Sequence, residues 1–151
     1  MSLENEPRRI RPDELDKLIN LYGFLHPGAE KSDDNALHHT WHEITTYQDR
    51  YIYFVIEADE RLVSSCNISI IPNLTNESRP FAVIENVITH PDYRRRGFGI
   101  KVLEAAIQHA WQNGCYKIML LSNNERVEAH RLYEKAGFNG SIKKGYVMKI
   151  E

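Results

Sequence analysis

A chain of 151 residues, 42% hydrophobic and 26% charged, has the length and balance of one globular domain with a real core rather than a disordered or fibrous chain. Its 19 Lys and Arg against 21 Asp and Glu leave a net charge of −2, which argues against a dedicated nucleic-acid binder. No apolar run approaches the ~20 residues of a membrane span, and the opening Met1 to Glu6 has neither the basic nor the apolar region of a signal peptide. Cys66 and Cys115 are far apart and lack a CxxC partner, which fits a reduced, cytoplasmic protein.

In chain order, Arg8 to Arg11 reads as a short first strand and Pro12-Asp13 as a helix start. Leu15, Leu18, Ile19 and Tyr22 recur at helical spacing, and His26-Pro27-Gly28 is the expected stop. Ser32-Asp33-Asp34 caps a second helix running to about Thr46. Tyr51 to Glu57 and Leu62 to Ile71 are β-forming and flank an Asp59-Glu60 turn. Residues 72–80 form a polar loop, and Phe81 to Thr89 is a further strand ending at His90-Pro91. Ile100, Leu103, Ile107 and Ala110-Trp111 mark one helix face, closed by Asn113-Gly114. The apolar run Cys115 to Leu121 predicts a strand central in the sheet. Val127 to Ala136 is a last helix, and Ser141 to Ile150 offers one or two strands. Residues 1–151 thus form a single mixed α/β domain whose middle contains a β-α-β unit.

The turn of that unit, Tyr93-Arg94-Arg95-Arg96-Gly97-Phe98-Gly99-Ile100, puts three arginines and two glycines at a helix start. Unpaired amides and the helix dipole favour an anion there, glycines let it approach, and arginines add charge-assisted bonds. A cradle for a phosphorylated ligand and a basic solvated turn both fit the spacing; a nucleic-acid patch fits the net charge less well. The pattern lacks the Gly-Lys-Ser/Thr of a Walker A loop and the GxGxxG of a dinucleotide fingerprint.

Val87-Ile88-Thr89-His90-Pro91 followed by Arg94-x-x-Gly97-x-Gly99-Ile100 resembles the acetyl-CoA motif of the GNAT superfamily of N-acetyltransferases. The later run Ala129-His130-Arg131-Leu132-Tyr133-Glu134-Lys135-Ala136-Gly137-Phe138 resembles the second signature of that family, and the element order matches over nearly the whole chain. The resemblance implies a mixed sheet of about six to seven strands flanked by about four helices, with acetyl-CoA as cosubstrate. It implies that backbone groups of Val87, Ile88 and Thr89 run beside the pantetheine arm. Arg94, Arg95, Arg96, Gly97, Phe98, Gly99 and Ile100 would cradle the pyrophosphate. Arg126 stands where many members have an asparagine on the cofactor, so Asn123, Asn124 or Arg126 itself takes that place. Many members dimerise, so a homodimer is carried over as an expectation.

Transfer to an amine needs the amine neutral and the leaving thiolate tolerable. A lysine-like amine, with a pKa near ~10.4, is almost wholly protonated at pH 7, so a base helps. Glu85, in the apolar run Ala82 to Ile88, is the candidate base, with a paired or edge-exposed structural glutamate as the other reading. Tyr133 is the candidate general acid; by periodicity alone it is a core aromatic, and the signature around it favours the catalytic role. His38 and His42 share a helix face, but no carboxylate or cysteine completes a metal set, so no metal is expected. His38, His39, His42, Trp41 and Tyr47 fit either a pocket lining or a surface helix.

Gly114-Cys115-Tyr116-Lys117-Ile118 and the Glu85 strand look similar to glucosamine-6-phosphate N-acetyltransferases, which typically carry aspartate where this chain has Asn86. The expectation is an N-acetyltransferase for a small primary amine, an amino sugar phosphate favoured, with no nucleic-acid or membrane partner. A peptide lysine or N-terminal acetyltransferase and a non-catalytic acyl-CoA sensor are the alternatives.

Overall fold

Even-numbered residues of β2 (Tyr51–Ala58), Ile52, Phe54 and Ile56, pack with α3 (Phe98–Gln112), while Tyr53 and Val55 face the opposite side. β3 (Arg61–Ile71) and β4 (Phe81–Thr89), which pair antiparallel in turn, alternate likewise, but the inward set changes parity where the register shifts: Val63 gives way to Cys66 and Ile68 in β3, and Ala82 and Ile84 to Val87 in β4. The computed structural model describes residues 5–150; Met1 to Glu4, and with them most of the opening segment, lie outside the described residues, as does Glu151. Among the described residues the sheet has five strands in the order β1-β2-β3-β4-β5, with β1 at Arg8–Arg9 and β5 at Ile118–Met119. Of these pairs only β4 and β5 are parallel, joined through α3.

One core cluster lies between the sheet and α3 with α4 (Val127–Lys135). The other joins α1 (Leu15–Tyr22) and α2 (Asp34–Thr46) to the opposite face through Leu18, Leu21, Trp41, Val55, Leu62 and Ile88. Asp33 caps α2 by accepting from the Ala36 amide, and the Trp41 indole donates to the Pro12 carbonyl at 2.8 Å.

The mixed α/β class with four helices stands, and three expectations are corrected. Residues 115–121 do not form a central strand: only Ile118–Met119 are strand, at the sheet edge. Cys115, Ile118 and Leu120 pack on the α3 side, but Met119 and Leu121 are exposed, so the apolar run is covered on one face. Ser141 to Ile150 forms no strand, which leaves five strands among the described residues rather than six or seven. α1 ends at Tyr22, with Gly23 amide bonding back to Ile19, earlier than His26-Pro27-Gly28.

An ion network ties β1 to α1 and β2. The Arg8 guanidinium grips both oxygens of Glu14 (2.9 and 2.7 Å) and reaches Glu57 at 2.7 Å, which also accepts from Lys17. Glu14 is only 2% exposed. Burial by itself would raise its pKa; the Arg8 bonds, the Arg11 amide and both guanidinium charges outweigh burial and hold it below the usual 4.5. Its stabilisation is therefore full above the ordinary carboxylate pKa and is lost as pH falls through the lowered value. Glu14→Gln is expected to cost about 2 kcal/mol, or about 4–8 °C in thermal melting at pH 7, with a gap that narrows below pH 4.5.

Candidate active site

β4 stays paired with β3 along its length but meets β5 only at Ala82 and Val83. From Ile84 onward its other edge has no strand beside it among the described residues. Within that stretch two β4 residues, Asn86 and Val87, stand opposite the single residue Cys66. Asn86 takes a φ of +51°, a left-handed conformation that asparagine tolerates, and its Nδ2 donates to Asn67 Oδ1 at 3.0 Å. The sequence reading treated Asn86 only as a missing acid. Its bulge role becomes visible once the register is known.

The bulge directs Val87, Ile88 and Thr89 along the open edge. Ser64 Oγ bonds the Ile88 carbonyl and the Thr89 hydroxyl, tying the strand end to β3. Buried His90 then accepts from the Asp92 amide through Nδ1 and packs its ring against Phe24 and Tyr93 (4.4 and 5.5 Å). The Tyr93 hydroxyl donates to Asp59, fastening the arginine turn to the β2–β3 turn. These His90 and Tyr93 braces were also unread in the sequence, where His90-Pro91 marked only a strand end.

Gly97 sits at the N-cap of α3 with φ +79°. A Cβ there would meet nothing within 4 Å, so backbone conformation rather than crowding calls for glycine. Gly99 is different: a Cβ would come within 3.2 Å of Leu132 and 3.4 Å of Thr89 Oγ1, so its small size lets α3, α4 and β4 close together. No side chain caps α3 and no acid stands in its first turn, so the amides of Phe98, Gly99 and Ile100 remain open to an anion. Phe98 is buried and anchors the turn. Arg94, Arg95 and Arg96 are exposed; Arg94 donates to the Thr89 carbonyl, and Arg96 to Asp92 while stacking over Tyr93 at 4.9 Å.

Glu85 is exposed, in one row across the sheet with Asn67 and Tyr53, on the α1/α2 face. Tyr133 is 7% exposed on the inner side of α4, its ring edge-on to Phe138. Burial pushes its phenol above the usual value; Arg126 opposes this, and Cys66 and Glu85 add to it. The phenol is therefore protonated at neutral pH. Glu85 and Arg126 thus each lie within electrostatic reach of the Tyr133 hydroxyl. Arg126 and Asn124 are exposed at the start of α4, whereas Asn123 is occupied: its carbonyl accepts from Arg126 and its side chain from the Glu125 amide. His38, His39 and His42 are exposed on α2, and no group of three His, Cys, Asp or Glu able to hold a metal occurs among the described residues.

Comparisons with known proteins agree on this architecture. The sequence profile described as "Acetyltransferase (GNAT) family" matches residues 15–138. A solved structure, a putative acetyltransferase from Agrobacterium tumefaciens, is 32% identical with a TM-score of 0.88, covering 96% of this chain and 99% of that one. The structure of glucosamine-6-phosphate N-acetyltransferase from Arabidopsis thaliana is 25% identical with a TM-score of 0.81, covering 97% of each chain. The glucosamine 6-phosphate N-acetyltransferase of Trypanosoma brucei brucei is 33% identical over 78 residues, 52% of this chain and 51% of that protein.

Gly97→Val places a β-branched residue at a positive φ. Calorimetric titration with acetyl-CoA is expected to show binding at least tenfold weaker, with the far-ultraviolet dichroism of the wild type. Unchanged affinity would separate the phosphates from this turn.

Proposed function

The chain belongs to the acetyltransferase (GNAT) family, and we propose that it transfers the acetyl group of acetyl-CoA to a primary amine of a small molecule, an amino sugar phosphate being the favoured acceptor. The observation that carries this reading is an open strand edge, Val87 to Thr89, leading directly into an uncapped helix start flanked by three arginines. Such a track suits a ligand with an amide-rich arm and a pyrophosphate. Val87, Ile88 and Thr89 would hold the arm through their backbone. Arg94, Arg95, Arg96, Gly97, Phe98, Gly99 and Ile100 would hold the phosphates, and Asn124 and Arg126 would flank the arm from α4. When bound, acetyl-CoA supplies an acetyl group already activated as a thioester.

The chain's own groups then manage protons. The Glu85 carboxylate takes a proton from the acceptor ammonium, directly or through water, so that the nitrogen lone pair is free to attack. The Tyr133 hydroxyl donates its proton to the departing sulfur and is restored by the second proton that the nitrogen sheds, through water, as the amide forms; a phenol kept neutral by burial is suited to that donation. The amino sugar preference is supported by relatives of that activity at low identity and by the Gly114 to Ile118 segment. Release of CoA thiol tests it, with acetyl-CoA supplied and amino sugar phosphates set beside aminoglycosides, polyamines and peptides bearing lysine or a free α-amine. Turnover confined to peptides would reassign the acceptor. Acetyl-CoA binding without any turnover would leave a sensor.

Tyr133→Phe keeps the ring and its packing and removes the proton donor. The expected result is a kcat lower by ~10²–10⁴ with acetyl-CoA affinity almost unchanged, read by pre-steady-state thiol release so that chemistry is observed. Full single-turnover rate in this variant would make Tyr133 a packing residue.

Glu85→Gln alters an exposed side chain, so thermal stability is expected to hold. kcat/KM should fall most near neutral pH and recover as pH rises toward the pKa of the acceptor amine, where the free base forms unaided. A raised KM with unchanged kcat would instead make Glu85 a binder of the cationic amine. A loss independent of pH would remove it from proton transfer.

A further inference from the structure

Between α1 and the β2–β3 turn lies a cavity of about 370 Å³. Neither Glu85, Tyr133 nor any residue of the arginine turn lines it, so it is separate from the cleft described above. Leu21 and Leu62, each 2% exposed, give it an apolar lining, and Phe24, 42% exposed, adds an aromatic wall against the His90 ring at 4.4 Å. Its polar groups are of both signs. Glu60 and Arg61 are exposed at the turn, and neither side chain has an ion pair or a hydrogen bond among the described residues. The Lys17 ammonium is already held by Glu57 at 2.7 Å. Buried His90 accepts from the Asp92 amide through Nδ1, which puts the proton of the neutral ring on Nε2. That Nε2 has no partner among the described residues.

The turn itself points to a ligand. Asp59 and Glu60 are the two residues between the paired Ala58 and Arg61, and their φ values are +50° and +60°. Such a turn favours asparagine or aspartate first and glycine second. A glutamate in the left-handed region is uncommon, and conformations of that kind collect at ligand contacts. Asp59 is engaged by the Tyr93 hydroxyl, whereas Glu60 keeps a free carboxylate at the cavity where glycine would fold more easily.

We propose that this cavity is a second ligand site and that it takes a free amino acid with an apolar side chain. The ligand carboxylate accepts from the Arg61 guanidinium and from His90 Nε2, and its ammonium donates to Glu60. Its side chain lies on Leu21 and Leu62 and covers Phe24. A simple carboxylate would be repelled by Glu60 and a simple amine by Arg61; a molecule with both charges on one carbon satisfies the adjacent pair. The size is that of a small-molecule site. His90 also packs against Tyr93 at 5.5 Å, so the occupant touches the brace of the arginine turn while leaving the open edge of β4 free. It is thus placed as an effector and not as the acceptor.

The test is titration of the isotope-labelled full chain with leucine, methionine and phenylalanine, followed by two-dimensional NMR. The readout needs neither acetyl-CoA nor turnover, so it is independent of the reading of the cleft. At least one of the three should shift the amide resonances of Phe24, Glu60, Arg61 and His90 saturably, with a millimolar or tighter Kd. The N-acetyl derivative, which lacks the ammonium, and the carboxamide, which lacks the carboxylate, should each bind at least tenfold more weakly. Arg61→Gln and Glu60→Gly should each weaken binding at least tenfold, and the melting temperature of Glu60→Gly should hold or rise, because glycine accepts a positive φ. No saturable shift with any of the three amino acids would overturn the proposal, as would equal affinity for the N-acetyl derivative or wild-type binding by Glu60→Gly. A lower melting temperature in Glu60→Gly would overturn the assignment of Glu60 by showing that it serves the fold. Shifts centred on Asn67 and Glu85 would overturn the site by placing the amino acid in the cleft.

Discussion

β4 has to satisfy two neighbours that part company. It remains bonded to β3 from Phe81 to Thr89 but leaves β5 after Val83, and the extra residue at Asn86–Val87 lets it do both. The Asn86–Asn67 bond holds the bulge from the side chain, and a positive φ at Asn86 costs less than it would at a β-branched neighbour. Ser64 then fixes the far end of β4, so the divergence is held at both ends.

The arginine turn inherits its position from this strand. His90, buried between Phe24 and Tyr93, sets the direction of the chain as it leaves β4, and Phe98 pins the beginning of α3 into the core. Between these anchors the three arginines stay in solvent. A chain of net charge −2 thereby concentrates positive charge and helix amides at one point.

The two faces of the sheet divide the work. The α3/α4 face is densely apolar, holds Tyr133, and raises its pKa by burial. The α1/α2 face covers Val55, Leu62 and Ile88 but leaves Glu85 in solvent. A carboxylate open to water on one side and a phenol kept neutral by burial on the other are two environments arranged around one diverging strand.

Local chemistry was legible in the sequence wherever the cause was local. Asp33 caps α2, Phe81–Thr89 is a strand with the bounds expected, and Gly97 marks the start of α3, because capping, side-chain alternation and backbone freedom act within a few residues. The signatures around Gly97 and Tyr133 were likewise readable as residue patterns. Pairing was not. An apolar run such as 115–121 has the same composition whether it is buried on two faces or one, and only its neighbours decide; here they make it an edge. The alternating apolar residues of 146–150 suggest a strand, yet no ladder forms there, because a strand also needs a partner edge. The bulge at Asn86 exists only as a count of two residues against one across a ladder. The sequence by itself determined helix and strand where the cause is local, as in α2, β4 and the start of α3, but not over 115–121 and 141–150. The tertiary structure alone decided which strand edge stays open and which side chains meet there, because register and edge exposure are properties of two segments at once.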